Sequence, residues 1–178
     1  MIQRIFLFIL ITIFLCSCNV TVKDNTTKIS QHELLVRNYI NNVNSGDYKN
    51  AAEYFNYPDY YSKEIKDKDV SGVSLSIKIL TEEFGKIESH DIDDNKIKLI
   101  QNIFIGGGDL KYLKKHESDE FIRYKVKYSK AGQGYLKFTF INLNNNLEIL
   151  KVDYGLPSNE SSKTIIKNTL ERMMEEKK

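Results

Sequence analysis

The sequence has little cysteine, and its two cysteines, Cys16 and Cys18, both lie near the amino terminus. If a signal segment ends at residue 17, as argued below, Cys18 is the only cysteine of the mature chain, which excludes an intramolecular disulfide. Tryptophan is absent, whereas the chain has 11 tyrosines and 9 phenylalanines. Stability must therefore come from packing of aromatic and aliphatic side chains, and the chain is long enough to build such a core.

The sequence also lacks an excess of either charge. Its net charge is +2, and removal of residues 1–17 takes away only Arg4 and leaves +1. A nucleic-acid-binding protein usually carries a basic patch and a high isoelectric point. We therefore expect no nucleic acid as a partner.

Motifs of common cofactor and metal sites are missing as well. The three histidines, His32, His90 and His116, are far apart and are not spaced as metal ligands. The run Gly106–Gly108 lacks the Lys-Ser/Thr pair of a phosphate-binding loop, and we predict no helix after it. We interpret the run as a hairpin turn and expect neither a metal nor a cofactor.

The apolar run of the chain lies at its amino terminus. Arg4 is followed by Ile5 to Leu15, which is apolar except for Thr12. As a helix this run is about 16 Å long, whereas the hydrocarbon core of a bilayer is about 30 Å thick. The length is therefore typical of the hydrophobic region of an export signal.

The residues after this run, Leu15-Cys16-Ser17-Cys18, resemble the signal of bacterial lipoproteins. The resemblance implies cleavage between Ser17 and Cys18 and lipid on Cys18, which would hold the protein to a membrane of the cell envelope. Asn19 instead of aspartate would favour the outer membrane in a Gram-negative host. The alternatives are an ordinary signal peptide and an uncleaved helix with two incidental cysteines.

The rest of the chain divides into a tether at 18–29, a domain at 30–157 and a terminal helix at 158–178. Ser30 to Glu33 forms a capping-box pattern that begins a helix. Gly46 is expected to end that helix, and Asp47 to cap a short second one that Pro58 ends. We interpret residues 59–69 as a solvated loop or short exposed helix. An amphipathic helix is predicted from Gly72 to Phe84.

The periodicity then changes from helical to alternating, which predicts strands. The predicted strands are Lys86–Ile92, Lys96–Ile105, Asp109–Leu113, Phe121–Ser129, Tyr135–Leu143 and Leu147–Tyr154. Within the last strand we expect Leu150, Val152 and Tyr154 to share one face. Such alternation indicates an antiparallel sheet with one covered face. The fold class is therefore α+β: N-terminal helices on a curved antiparallel sheet, plus a C-terminal helix capped by Ser158 or Ser161.

This order of elements resembles the nuclear-transport-factor-2-like, or cystatin-like, cone fold, which ketosteroid isomerase and limonene-epoxide hydrolase share. The resemblance rests on the run N-x-G-D-Y-x-x-A-A-x-Y-F from Asn44 to Phe55, on Phe84-Gly85-Lys86-Ile87, and on the last two strands. It covers roughly Gln31 to Leu156. These motifs are specific for fold and carry no chemistry, and several groups of small bacterial lipoproteins look like this one.

The resemblance implies a cone whose mouth takes an apolar ligand between helices and sheet. Aromatic rings that would line it are Tyr39, Tyr54, Phe55, Phe84, Tyr124, Tyr128, Phe138 and Tyr154. The alternative, which we favour, is that these rings fill the cone as core.

Candidate catalytic residues are few. His90-Asp91 on the first predicted strand and Asp153 beside Tyr154 are the suggestive positions, but none matches a catalytic position of the cone-fold enzymes. We interpret them as surface residues at strand edges and expect no catalysis.

Two surfaces remain as candidates for contacts. The lysine face of Phe121–Ser129 would suit anionic lipid headgroups or glycans, although such a face is more commonly just exposed to solvent. The stripe Ile166, Leu170 and Met173 would suit a partner, although such a stripe more often packs on its own domain.

The sequence thus supports a lipid-anchored envelope protein with a domain that binds a small apolar ligand or a partner protein. The alternatives are a pocket enzyme of the isomerase or hydrolase kind, and an accessory or exclusion lipoprotein that acts by protein contacts alone.

Overall fold

A computed structural model of the chain describes residues 30–93, 101–116 and 120–176. The predicted signal segment, the tether and the lipid site at Cys18 lie outside the described residues. So does the first half of the strand predicted at Lys96–Ile105.

The described part of the chain begins with three helices: α1 (Gln31–Ser45), α2 (Tyr48–Ala52) and α3 (Lys63–Phe84). The predicted caps are confirmed, because the Ser30 hydroxyl accepts from the Glu33 amide and the Glu33 carboxylate accepts from the Ser30 amide. Gly46 ends α1 with a left-handed φ of 84°, and the Asp47 side chain caps α2. The short helix α2 ends at Ala52, well before Pro58.

The helix α3 is longer than predicted. It begins at Lys63, with the Ser62 hydroxyl accepting from the Ile65 amide, so most of the charged segment 59–69 is its first turns and not a loop. Gly72, predicted as the start of the helix, lies in its interior. A single glycine costs an α-helix only about 1 kcal/mol, which this cap and the apolar face of α3 offset.

The sheet has five antiparallel strands and is curved and open. The strands are β1 (Ile87–Ile92), β2 (Gln101–Gly106), β3 (Phe121–Tyr128), β4 (Gly132–Leu143) and β5 (Asn146–Leu156). Their order across the sheet is β1-β3-β4-β5-β2, so β1 and β2 are the two edges. Asn144 and Asn145 make the tight turn between β4 and β5, both with positive φ, as the asparagine run predicts.

The strand predicted at Asp109–Leu113 is wrong, because these residues belong to a short helix, α4 (Leu110–Lys115). The Asp109 carboxylate accepts from the Tyr112 amide and thereby caps it. Gly106–Gly108 accordingly joins a strand to a helix and is not a hairpin turn. Gly107 passes so close to the backbone of Asn56 that a Cβ there would lie 2.2 Å from the Asn56 carbonyl oxygen.

The expectation that Leu150 shares a face with Val152 and Tyr154 is also wrong. The pairing of β4 with β5 shifts between Thr139 and Phe140, so β5 carries an extra residue at this point. Such a bulge turns the following side chains to the opposite face. Leu150 therefore packs on the outer face of the sheet, in a small cluster with Tyr112, Leu113 and Ile141.

The last helix, α5 (Glu160–Glu175), is capped by Asn159 and not by a serine. It packs against α3 and the edge strand β2. Ile166 and Met173 are buried there, whereas Leu170 is largely exposed. The predicted stripe therefore packs on its own domain except at Leu170.

The predicted fold class is confirmed: α1, α2 and α3 cover one face of the antiparallel sheet, and α5 extends that layer past β2. One core joins these helices to the inner face of the sheet. None of the helices described, from α1 to α5, is long and apolar enough to cross a membrane.

Candidate functional site

The aromatic rings predicted to line a cone lie in the core and contact one another. Tyr39, Phe55, Phe84, Tyr124, Tyr128, Phe138 and Tyr154 are buried, and Tyr54 packs partly buried against them. Edge-to-face contacts join Tyr39 to Phe138 and Phe84 to Tyr128, with ring centroids 5.4 and 5.2 Å apart. None of these rings lines either of the two clefts described below.

Three tyrosine hydroxyls within this core form buried hydrogen bonds. Tyr39 and Tyr154 share a hydrogen bond of 2.7 Å between their hydroxyls, and the Tyr128 hydroxyl donates to the Tyr135 carbonyl oxygen at 3.1 Å. Burial raises the pKa of Tyr39 well above its ordinary value, as it does for Tyr128 and Tyr154. These hydroxyls therefore remain neutral and act as structural groups.

An open cleft of about 750 Å³ lies between α3, α5, β2 and α4. We call it the α3–α5 cleft. Its apolar lining consists of Ile65, Val73, Ile103, Phe104, Ile105, Leu110, Leu113, Leu170, Met173 and Met174. The residues come from three separate parts of the sequence, namely α3, β2 with α4, and α5, so only the tertiary fold brings them together.

Small residues make room for the cleft. Gly72 and Ser76, one turn apart, face it from α3, and a Cβ added to Gly72 would meet no atom within 4 Å. On the opposite wall, Gly106 lets Leu113 lie close to β2, because a Cβ there would come within 2.9 Å of the leucine side chain. The glycine in α3 thus faces open space, whereas the glycine in β2 permits close packing.

The rim of the cleft carries exposed apolar side chains. Among the large apolar side chains that are exposed in the described residues, five line this cleft: Ile65, Phe104, Leu110, Leu170 and Met174. Their exposed fractions run from 44% for Leu170 to 63% for Leu110. Exposed apolar side chains around one cleft are compatible with a ligand groove or an interaction site.

The charged side chains of the cleft differ in whether they already have hydrogen-bond partners. The Asp69 carboxylate accepts from the Gly108 amide at 2.7 Å, and the Asp109 carboxylate caps α4. Lys68 is exposed, and its ammonium has no ion-pair or hydrogen-bond partner in the described part of the chain. The lining therefore carries two carboxylates and one ammonium, and burial together with Asp69 and Asp109 raises the pKa of Tyr61, which also lines the cleft.

A second cleft, of about 700 Å³, lies between α2 and α3 and differs in character. Charged side chains from Lys49, Glu53, Lys63, Lys66 and Asp67 line it, together with Tyr57, Val70 and Ser71. Lys66 lies over the Tyr57 ring, 5.7 Å from its centroid. A surface that carries charges of both signs is ordinarily exposed to solvent. The residues of this cleft therefore do not indicate a particular ligand.

The structure corrects the interpretation of Asp153 as a surface residue at a strand edge. It lies on β5, between β4 and the edge strand β2, and is only 7% exposed. Burial raises the pKa of its carboxyl, while Lys151, Lys137 and a 2.9 Å hydrogen bond from the Asn102 amide oppose that rise. It lines neither cleft and lies on the outer face of the sheet, beside its cross-strand neighbours Phe104 and Lys137.

Two buried hydroxyls accompany Asp153 on that outer face. The Tyr135 and Thr139 hydroxyls have no hydrogen-bond partner within the residues described. Burial and the nearby Asp153 raise the pKa of Tyr135 to about 12, against the effect of Arg123. The Arg123 guanidinium itself lies 3.0 Å from the Asp93 carboxylate.

The remaining predicted residues are not brought together. His90 and Asp91 are exposed on the edge strand β1, His32 contacts Glu120 at 2.8 Å, and His116 packs on Tyr112. In the described ranges no group of three or more histidine, cysteine or acidic residues could hold a metal ion.

On the lysine face of β3, Lys127 pairs with Glu88 at 2.7 Å and Lys125 is exposed.

The fold thus defines an α+β domain with helices on a curved open sheet and an apolar cleft beside the terminal helix. A Campylobacter jejuni protein of known crystal structure, which carries the provisional name NTF2-like transpeptidase, is similar to this chain. The two are 16% identical over 68% of this chain and 98% of that one, with a TM-score of 0.43. No family model and no curated protein matches the chain.

Most of the α3–α5 cleft was not predicted from the sequence. The sequence places Leu170 and Met173 in a stripe and Val73 in the helix predicted from Gly72 to Phe84. It does not connect these residues with β2 or α4. The sequence feature that could have indicated the cleft is Gly72, which lies within an otherwise helical pattern. An isolated glycine in a helix often has a packing or functional reason.

Proposed function

We propose that this protein is a lipid-anchored envelope protein whose domain binds an apolar ligand in the α3–α5 cleft. The cleft is the observation that carries the proposal. Its volume of about 750 Å³ lies within the roughly 300–1,000 Å³ of small-molecule sites, which are mostly apolar with a few polar groups.

The lining supports an apolar ligand because each buried methylene contributes about 0.8 kcal/mol. The floor is already buried, at Val73, Ile103 and Met173, whereas the rim is exposed. A ligand would therefore remove the exposed rim side chains from water without requiring the core to open. Met174 at the rim adapts easily to a bound shape.

The sequence pattern from Leu15 to Cys18 supports the location. An acylated cysteine with two or more chains is a stable anchor, while one chain of myristoyl length binds only marginally. The residues between Cys18 and Ser30 would then hold the cleft near a membrane surface, where apolar ligands are concentrated.

A protein partner is the second candidate, and the exposed rim is the observation that favours it. Leu110, Met174 and Ile65 are each more than half exposed. Such side chains would suit the apolar face of a partner helix. In that case the domain would act as an accessory subunit through contacts alone.

The test uses the mature chain from position 18 with Cys18→Ala, which contains every described residue, and the neutral fluorophore N-phenylnaphthylamine. Gly72→Leu fills the cleft, because the added side chain points into open space. We expect probe affinity to fall by about tenfold or more, since displacing two methylenes loses about 1.6 kcal/mol. Fluorescence titration measures the affinity.

The matched control is Ser71→Leu, which adds the same side chain one residue earlier on α3, at the second cleft. It should bind the probe as the parent does. Equal affinity of Gly72→Leu and the parent, or no binding of the probe by the parent, would contradict a ligand in the α3–α5 cleft.

A further inference from the structure

The α3–α5 cleft is elongated along one face of α3. The residues that α3 contributes are Ile65, Lys68, Asp69, Gly72, Val73 and Ser76, which repeat at three and four. From Ile65 to Ser76 the helix rises about 16 Å, at roughly 1.5 Å per residue. The bilayer hydrocarbon core is about 30 Å thick, so one alkyl chain in one leaflet extends over about half of that. The cleft therefore has the length of a single alkyl chain.

The two ends of the cleft differ in polarity. Lys68 and Asp69 lie toward the start of α3, and Asp109 lies beside them because the Gly108 amide donates to Asp69. Beyond Asp69 every side chain that α3 contributes is uncharged, and Met173 from α5 closes that half. The cleft thus has one charged end and one apolar end, as a site for an amphiphile requires.

The charged end carries two carboxylates that backbone amides hold in place. Asp69 accepts from the Gly108 amide and Asp109 from the Tyr112 amide, each at 2.7 Å. Each bond uses one oxygen, and the other oxygen of each carboxylate has no partner within the described ranges. Because a hydrogen bond to a carboxylate favours its ionised form, both groups stay negative and both can still accept from a ligand.

The positive charge at this end is held less firmly. Lys68 is exposed, and its ammonium has no partner among the described side chains, whereas Asp69 is half-buried. The two carboxylates also act on Tyr61 in the lining, since burial together with Asp69 and Asp109 raises the pKa of this tyrosine. The face of a tyrosine ring attracts cations as well. The charged end is therefore negative, with two fixed carboxylates against one exposed ammonium.

We propose that the ligand of the cleft is a single-chain amphiphile with an ammonium head, whose alkyl chain lies along α3 and whose head pairs with Asp69 and Asp109. An ammonium group has a positive charge and N–H donors for the free carboxylate oxygens. This inference rests on the proposed function and adds the ligand class. The site itself is the apolar cleft, and the carboxylates select only the head group.

The experiment compares ligands that have the same chain and different heads: decylammonium, decanol and decanoate. Each is titrated calorimetrically, below its micelle-forming concentration, into the mature chain with Cys18→Ala and into the same chain with Asp69→Asn and Asp109→Asn. Asparagine removes the charge but keeps an oxygen that accepts the amide, and it caps a helix as well as aspartate does. We expect the double variant to bind decylammonium about fivefold more weakly, near the upper limit for an exposed ion pair. Decanol should bind equally to both chains, and decanoate should bind the variant more tightly.

The matched control is Asp67→Asn, which makes the same change on the same helix at the second cleft, and it should leave all three affinities unchanged. Lys68→Met disturbs neither cap and removes the opposing charge, so it should tighten the binding of decylammonium. Higher salt should weaken decylammonium in the parent chain and not in the double variant, because screening acts on the ion pair. Thermal unfolding of each variant verifies that it is folded.

Each outcome decides between the two proposals. Binding of all three ligands that neither the double variant nor Lys68→Met alters would overturn the ammonium head and leave an apolar-ligand site. Binding of none of them, together with no binding of N-phenylnaphthylamine, would overturn both and favour the protein partner. A loss of affinity in the double variant that is confined to decylammonium supports the inference.

Discussion

At the scale of single residues, the hydrogen-bonded hydroxyls of Tyr39 and Tyr154 are the most consequential polar pair in the core. Both rings are buried, and the 2.7 Å bond joins α1 to β5 across the whole layer. Because burial keeps both hydroxyls neutral, the bond persists across the ordinary pH range.

Tyr39→Phe should destabilise the domain by about 1–3 kcal/mol, because it leaves the buried Tyr154 hydroxyl without a partner. Tyr39→Phe combined with Tyr154→Phe should recover much of that loss, since removing both partners of a buried hydrogen bond is nearly neutral. Urea unfolding of the two single variants and the double variant gives the coupling energy. Additive losses would mean that the two hydroxyls are not coupled.

Residues whose role is local could be predicted from the sequence, and residues whose role is long-range could not. Ser30 and Asp47 were predicted as caps because a cap depends on neighbours two or three positions away. Asp153 was predicted at the surface because its neighbours in sequence do not reveal the strands on both sides of it. Its burial depends on β2 and β4, which only the sheet order places beside it.

At the scale of elements, α3 is the element on which the candidate site is built. One of its faces packs in the core, another lines the α3–α5 cleft, and a third borders the second cleft. Gly72 lies in the middle of this helix, where it costs stability and where a Cβ would meet no neighbouring atom within 4 Å.

Gly72→Ala should stabilise the domain by about 0.5–1 kcal/mol, because alanine has the higher helix propensity and meets no neighbour here. Thermal unfolding followed by circular dichroism measures the gain. The control is Gly108→Ala, which should be destabilised because Gly108 has a φ of +80° and its Cβ would come within 2.9 Å of Pro58. A loss of stability in Gly72→Ala would show that this part of α3 is not an unstrained helix.

The errors at element scale share a physical cause. Asp109–Leu113 alternates like a strand, but the Asp109 cap and the cluster of Tyr112 and Leu113 with Leu150 make it a helix. The bulge in β5 likewise follows from pairing with β4 and cannot be read from alternation within one strand. Periodicity describes a segment by itself, whereas these outcomes depend on what the segment packs against.

At the scale of the whole molecule, the domain and its attachment make separate contributions to the proposed function. The fold class and the packing of α5 on the domain could be predicted from periodicity. The cleft could not, because its walls come from segments separated by up to more than a hundred residues.

The attachment itself is tested by Cys18→Ala in the full chain. We expect the parent to incorporate labelled palmitate and to remain in the membrane fraction, because the acyl chains supply a stable anchor. Cys18→Ala should lose the label and leave that fraction. Cys16→Ala should keep the label, since the signal pattern places Ser17 immediately before the modified residue.

Label that persists in Cys18→Ala would exclude this cysteine as the lipid site. The α3–α5 cleft would remain testable, because the ligand experiments use a chain that lacks the anchor.

The order of the strands across the sheet also determines when the domain can fold. Among the described strands, the edge strand β2 pairs only with β5, so Ile103 finds its partner Tyr154 51 residues later in the chain. Pairing between distant segments slows folding, because the entropy of closing the loop is lost before the contacts form. The sheet is therefore completed only after nearly the entire chain has been synthesised, which would suit a protein that is exported before it folds.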